Sequence, residues 1–286
     1  TVSGNVNVTD GAATITGTGI AGTVTADSVA MTGGTAGNVT ADNGDATIDG
    51  GAVVGDVTAA NGTVSVENAT TGTLDGATVS TNEATVNGSV NADTAATLAG
   101  GTVSGNVNVT DGAATITGTE ITGTVTADSV AMTGGSADSV TADTVTLDNT
   151  TVAGDVTAES SATLTDGSVS GNVNVTDGAA TITGTGIAGT VTADSVAMTG
   201  GTAGNVTADN GDATIDGGAV VGDVTAANGT VSVENATTGT LDGATVSTNE
   251  ATVNGSVNAD TAATLAGGTV SGNVNVTDGA ATITGT

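Results

Sequence analysis

Residues 168–286 repeat residues 1–119 at an offset of 167, and Ser168 in place of Thr1 is the single difference. A chain written twice must fold into something that can be built twice, so tandem architectures take precedence over a single-core domain. The offset divides further. Thr102-Val-Ser-Gly-Asn-Val-Asn-Val restarts the opening phrase Thr1-Val-Ser-Gly-Asn-Val-Asn-Val 101 residues on, and Ser168 restarts it after 66 more. Residues 1–286 begin and end inside a period, which is expected of one continuous repetitive segment cut from a longer array.

Stacking the phrases on their central apolar residue exposes the short unit. The anchors are Val6, Val24, Val39, Val57, Leu74, Val90, Val107, Val125, Val140, Val156, Val173, Val191, Val206, Val224, Leu241, Val257 and Val274, spaced 15 to 18 residues apart. Ten such rungs fill the 167-residue period and seventeen fill the chain. A second apolar site precedes the anchor by four residues (Val2, Ile20, Val53, Val86, Val103, Ile121, Val152). A third follows it by seven to nine (Ile15, Met31, Ile48, Val66, Leu98, Ile116, Met132, Leu147, Leu164). Around each site the chain alternates, as in Ala13-Thr-Ile-Thr16, which is the period-two signature of a strand with one buried face. Each rung therefore carries three short strands.

Between the strands stand Gly, Asn and Asp, as at Asp10-Gly11, Asn43-Gly44, Asn61-Gly62 and Asn87-Gly88. These residues suit bends where φ becomes positive. Three turns in about 17 residues, recurring in register, favour coiling over two-residue hairpins. The expected fold is all-β: a β-solenoid (parallel β-helix) of about 17 rungs, each rung 15–18 residues long. Helix is disfavoured by β-branched residues, many glycines and the lack of a sustained 3.6 period. The 101-residue repeat has the length of an immunoglobulin-like sandwich, yet such a domain needs a bulkier core, and the chain has no aromatic residue. Pairing between rungs at about 4.8 Å would make seventeen rungs span roughly 80 Å.

Composition then removes partners. The chain has 30 Asp and Glu, no Lys, Arg or His, and a formal charge of -30. Phosphate neutralisation needs cations, so nucleic acid is excluded, along with anionic membrane surfaces. No apolar run approaches the length of a transmembrane helix, so membrane insertion is not expected. Without cysteine, stability must come from pairing and stacking rather than disulfides. Such acidity suits salt or divalent cations that screen self-repulsion, which points outside the cell or to the cell surface.

Catalysis is not expected. A nucleophile would lack His or Lys as its base. A carboxylate pair for glycoside hydrolysis would lack aromatic platforms and a cluster that departs from the repeat. The polar feature that remains is a ladder three or four residues after the anchor: Asp10, Asp27, Asp42, Asp93, Asp111, Asp128, Asp143, Glu159, Asp177, Asp194, Asp209, Asp260 and Asp278, with Asn61 and Asn228 in two further rungs. One reading is turn capping, because Asp and Asn bond backbone at corners. The other is that stacked carboxylates recruit Ca2+, a hard cation that takes oxygen ligands. No dense calcium-loop motif occurs, so the second reading is a weak ladder rather than discrete sites. No other cofactor is expected. Thr14-Ile-Thr16 and Thr23-Val-Thr25 resemble the hydroxyl faces of ice-binding solenoids, although Thr is also a good strand residue. Asn-x-Ser/Thr triplets such as Asn7, Asn38, Asn61, Asn68, Asn87, Asn108 and Asn149 are frequent, as they must be in a chain rich in Thr and Ser.

The phrases Val53-Val-Gly-Asp-Val-Thr-Ala59 and Val152-Ala-Gly-Asp-Val-Thr-Ala158 resemble the rung pattern of bactofilins, bacterial polymer-forming β-helix proteins. The rhythm is also similar to the stalks of secreted bacterial β-helix adhesins. Both resemblances imply a filament, shaft or scaffold. The expected function is a structural one, an acidic extracellular filament, sheath or surface stalk whose partner is itself, with an adhesin shaft or an ice-binding solenoid as the alternatives.

Overall fold

The computed structural model describes residues 1–285 and divides into two compact units, Thr1–Ala142 and Asp143–Thr286. Each unit is an all-β parallel solenoid. One rung shows the construction: an anchor strand Val107–Val109, a longer wall strand Ala113–Thr117 and a two-residue short strand Glu120–Ile121. Alternation decides which side chains enter the bore. In the wall strand Ala114 and Ile116 are buried while Thr115 and Thr117 face solvent.

The anchors stack one upon the next. In the first unit the register runs Val6, Val24, Val39, Val57, Leu74, Val90, Val107, Val125 and Val140, each the direct parallel partner of the one before. In the second it runs Val156, Val173, Val191, Val206, Val224, Leu241, Val257 and Val274. All seventeen expected anchors thus occupy one line in their unit. From Val24 to Val140 every anchor of the first unit is fully enclosed. Burying a valine side chain contributes about 1.5–3 kcal/mol, so the anchor line is a principal source of stability.

The other two lines contain residues that hydrophobicity does not reveal. The short-strand line includes Ala36, Thr71 and Ala137 beside the expected Val and Ile residues, with Ala36 stacked on Val53 and Thr71 on Val86. In those three rungs the short-strand site lies three residues before the anchor instead of four. The wall line is filled at one level by Thr81, between Val66 and Leu98. Thr71 and Thr81 are small and β-branched, so they fit a narrow bore as Val does. Among the described residues no buried side-chain nitrogen or oxygen lacks a hydrogen-bond partner.

The expectation of three strands per rung holds where the first corner is a distinct turn. Elsewhere the anchor and wall strands fuse into one bent strand, as in Val57–Glu67, Leu74–Asn82 and Val90–Ala99. The register shifts at the bend, between Gly76 and Thr78, mark where one rung has more residues than its neighbour. A bulge of this kind lets rungs of unequal length stay paired on both sides.

The second corner, between wall strand and short strand, is built around a residue with left-handed backbone. It is glycine at Gly17, Gly33, Gly50, Gly100, Gly118 and Gly134 in the first unit, and Asn68 and Glu83 at the remaining two levels. Where a second glycine follows, the space is closed as well: a Cβ added at Gly101 would sit 2.7 Å from the nitrogen of Ala84 one rung below.

Candidate functional site

The thirteen acidic residues of the expected ladder lie at the first corner, between anchor and wall strands. Eleven are exposed, whereas Asp27 and Asp194 are half-buried. Both belong to short rungs, as the exposed Asp128 also does, and their carboxylates bond across the corner to neighbouring rungs. Asp27 Oδ2 accepts the Gly11 N–H at 2.8 Å, and Asp27 Oδ1 accepts the Asn43 side-chain amide at 2.7 Å. Asn210 repeats the second contact on Asp194 Oδ1 at 2.5 Å. Each is a charge-assisted bond across adjacent rungs, the stronger class of hydrogen bond.

Main-chain bonds show how the ladder is registered. Asp111 N–H reaches Asp93 O, Asp177 N–H reaches Glu159 O and Asp278 N–H reaches Asp260 O, so these pairs do stack. Asp27 stands instead over Gly11, Asp42 over Ala26 and Asp128 over Gly112. The sequence offset of three or four residues from the anchor therefore converts into two structural positions. Asn61 and Asn228 reach back with their amides to Asp42 O and Asp209 O. Among the described residues no three His, Cys, Asp or Glu side chains are grouped to hold a metal ion.

A second polar ladder occupies the third corner, on the residue immediately before the anchor, and was not anticipated from sequence. Asn5 Oδ1 accepts the Thr23 N–H, Asn38 Oδ1 the Asp56 N–H, Asp56 Oδ1 the Thr73 N–H, and Asn106 Oδ1 the Thr124 N–H, at 2.9 to 3.0 Å. Asp155, Asn172, Asn205 and Asp223 do the same in the second unit. The motif is local: the accepting side chain folds over the next rung just where that rung has glycine. A Cβ at Gly55 would collide with Asn38 Oδ1. The recurring Gly-Asn/Asp-Val phrase was the signal, and its meaning lay in the contact between rungs rather than within one.

On the anchor strand's outer face the side chains form a column of Asn, Thr and Asp, in which Asn108 donates to Asn91 Oδ1 at 3.0 Å. On the wall strand the outer column reads Thr16, Thr32, Asp49, Glu67 and Asn82 through five successive rungs. Asn82 donates to Glu67 Oε1 at 3.2 Å. The chemistry these surfaces offer is acceptance: carboxylate and amide oxygens meet backbone N–H groups and side-chain amides, and the chain contains no Lys, Arg or His to pair with them. Such a surface draws mobile cations diffusely, with its field screened within about 8–10 Å in ordinary salt. No protein-family model, no curated protein and no solved structure matches this chain.

Proposed function

We propose that this chain is a structural protein, a self-associating acidic filament, sheath or surface stalk that works outside the cell. The observation that carries the reading is the continuous pairing of the anchors within each unit, nine in the first and eight in the second, with changes in rung length absorbed at a corner. The repetition serves the backbone register, and the outer columns of the anchor and wall strands consist mostly of Thr, Ser, Asn and Asp, with Ala30 and Ala131 among them. In quasi-one-dimensional proteins of this kind each rung stabilises its neighbours, which suits a load-bearing shaft. A rung pairs through the same backbone groups with its own chain or with another copy, so the partner is itself. Kinship of use with bactofilins and adhesin stalks belongs to this reading, since both are mechanical.

No cofactor is assigned to this function, and Ca2+ would serve only as a diffuse counter-ion for the exposed carboxylates. In such a fibre EDTA leaves the melting temperature unchanged in physiological salt. The ice-binding alternative needs one hydroxyl column held through successive rungs. One such column is held through five rungs, Thr47, Ser65, Ser80, Thr97 and Thr115, but it ends at Ala30 and Ala131 and the column beside it carries Asp49 and Glu67, so no flat hydroxyl face runs the length of a unit and the alternative is not favoured.

The test is the power spectrum of cryo-imaged filaments of the native material. A strong meridional repeat near 4.8 Å supports the shaft. A spacing of tens of ångströms alone, or particles that never assemble, overturns it.

A further inference from the structure

Three Asn-Gly dipeptides occur in the repeat and each is present twice: Asn43-Gly44 and Asn210-Gly211, Asn61-Gly62 and Asn228-Gly229, Asn87-Gly88 and Asn254-Gly255. An Asn followed by Gly is open to self-reaction, because a residue without Cβ lets its amide nitrogen swing onto the asparagine Cγ. The glycine nitrogen loses its proton and attacks Cγ, the side-chain nitrogen leaves as ammonia, and a five-membered succinimide closes. Water then opens one of its two carbonyls, giving aspartate or isoaspartate. The balance is one water consumed and one ammonia released, with no oxidant or enzyme.

Folding restrains this reaction wherever the asparagine amide is tied down, and most where the glycine N–H is held as well. At Asn43-Gly44 both are: Gly44 N–H reaches Asp27 O at 2.7 Å, and the Asn43 amide reaches Asp27 Oδ1 at 2.7 Å. Gly211 and Asn210 repeat the arrangement on Asp194. Asn61-Gly62 lies inside the strand Val57–Glu67, with the Asn61 amide on Asp42 O at 3.1 Å. Asn87-Gly88 differs. It forms the third corner between the short strand Thr85–Val86 and the strand beginning at Val90, its side-chain amide makes no bond like those of the equally exposed Asn43 and Asn61, and Gly88 N–H reaches Gly72 O only at 3.3 Å. Gly255 N–H is held as loosely, at 3.2 Å from Gly239 O.

We propose that Asn87 and Asn254 are sites of spontaneous deamidation, and that the other four Asn-Gly asparagines are protected by the fold. Conversion to aspartate adds a negative charge to a surface that has no cation of its own. Conversion to isoaspartate adds one main-chain carbon between Val86 and Val90, both fully enclosed, and displaces the Gly88 link to the rung below. A long-lived chain would thus carry an internal record of its age at one corner per 167 residues.

The test uses the whole chain, held folded in mildly alkaline buffer at body temperature, then unfolded and cut after glutamate. Cleavage at Glu67, Glu83, Glu120, Glu159, Glu234 and Glu250 places Asn87 in the fragment 84–120 and Asn254 in the one that starts at 251, apart from the fragments holding Asn43, Asn61, Asn210 and Asn228. Fragment masses and backbone fragmentation locate the amide-to-acid gain. Asn87 and Asn254 are expected to convert faster than the other four by about five-fold for each additional hydrogen bond that has to open. In denaturant the six rates are expected to converge. Asn87→Ser removes the gain from the first fragment and leaves it in the second. Serine suits the position, since Ser104 occupies it one rung on, its N–H bonded to Val86 O as that of Asn87 is to Thr71 O. Should that variant fail to fold, Asn254 in the unaltered chain gives the same reading. Equal rates at all six sites in the folded protein overturn the proposal, as does conversion placed at another asparagine of the two fragments.

Discussion

From the last inward side chain of the wall strand to the inward residue of the short strand the step is five residues at every level, as in Ile15 to Ile20, Met31 to Ala36 and Ile116 to Ile121. From the anchor to the first inward residue of the wall strand it varies, from five (Val24 to Val29) to seven (Val107 to Ala114). Both corners turn the same chain around the same bore, yet one is rigid in length and the other elastic. The rigid corner is set by backbone: one left-handed residue always stands two places after the wall-line residue. The elastic corner is closed by side chains that differ from level to level: Asp27 bonds Gly11 and Asn43 at a short version, whereas Asp45 Oδ1 accepts the Thr63 N–H at a longer one. A turn fixed by φ and ψ has one length, whereas a turn closed by a flexible carboxylate tolerates several.

The largest expected effect follows from forcing each corner to accept one residue more. A glycine inserted after Gly118 pushes the short strand Glu120–Ile121 out of register, so that Glu120 moves toward the bore and Ile121 toward solvent. A cost above about 4 kcal/mol is expected, in the range of major core disruption. The same insertion after Asp128 lengthens a short first corner toward the form already present in the rung of Val107, and loop-length cost there is about 0.6 kcal/mol or less. Denaturant unfolding of the two variants measures the difference. Equal costs would remove the distinction between the corners.

A middle-sized effect sharpens the rigid corner itself. Gly118 has φ +63 and nothing within 4 Å of an added Cβ, so Gly118→Ala isolates the backbone penalty from any clash. Its expected cost is about 1 kcal/mol. The reverse change is more informative. Glu83 holds a left-handed φ of 49, a conformation in which glutamate has none of asparagine's local bonding to compensate. Glu83→Gly is expected to stabilise by up to about 1 kcal/mol, less the entropy that glycine returns to the unfolded chain. Melting curves that show Glu83→Gly destabilised by a comparable amount would mean that the Glu83 side chain, which lies over Gly100, holds the corner together.

The anchor line was legible in sequence because valine and leucine are scarce enough at outward positions to stand out. The fold class followed from it. Ala36, Thr71, Thr81 and Ala137 were not legible, because alanine and threonine serve inside and outside this bore alike. Fused strands such as Val57–Glu67 were hidden by Asn61-Gly62, a dipeptide that usually signals a break. Left-handed Asn68 and Glu83 were hidden for the opposite reason, since glycine marks that corner elsewhere and its absence reads as a change of structure. The acidic ladder was visible as a column of letters. That Asp27 stands over Gly11 rather than Asp10 depends on how many residues the corner below contains, which is settled only by the stacking of rungs.

The smallest expected effect separates the members of that ladder. Asp27 accepts two hydrogen bonds that join three rungs, from Gly11 below and Asn43 above. Asp27→Ala leaves the Gly11 N–H without its acceptor, and a loss of about 1 kcal/mol is expected, as for a helix cap exchanged for alanine. Asp128 is exposed, and its backbone alone makes the link to Gly112 O. Asp128→Ala should leave the unfolding midpoint unchanged at high salt. At low salt it should raise the midpoint slightly, because one charge is removed from a chain of net -30 whose self-repulsion is then unscreened. Melting both variants at two salt concentrations distinguishes a side chain that closes a corner from one that only charges it. A loss for Asp128→Ala as large as that for Asp27→Ala, independent of salt, would make the exposed carboxylates structural as well, and the elastic corner would then be held by them rather than by half-buried carboxylates such as Asp27 alone.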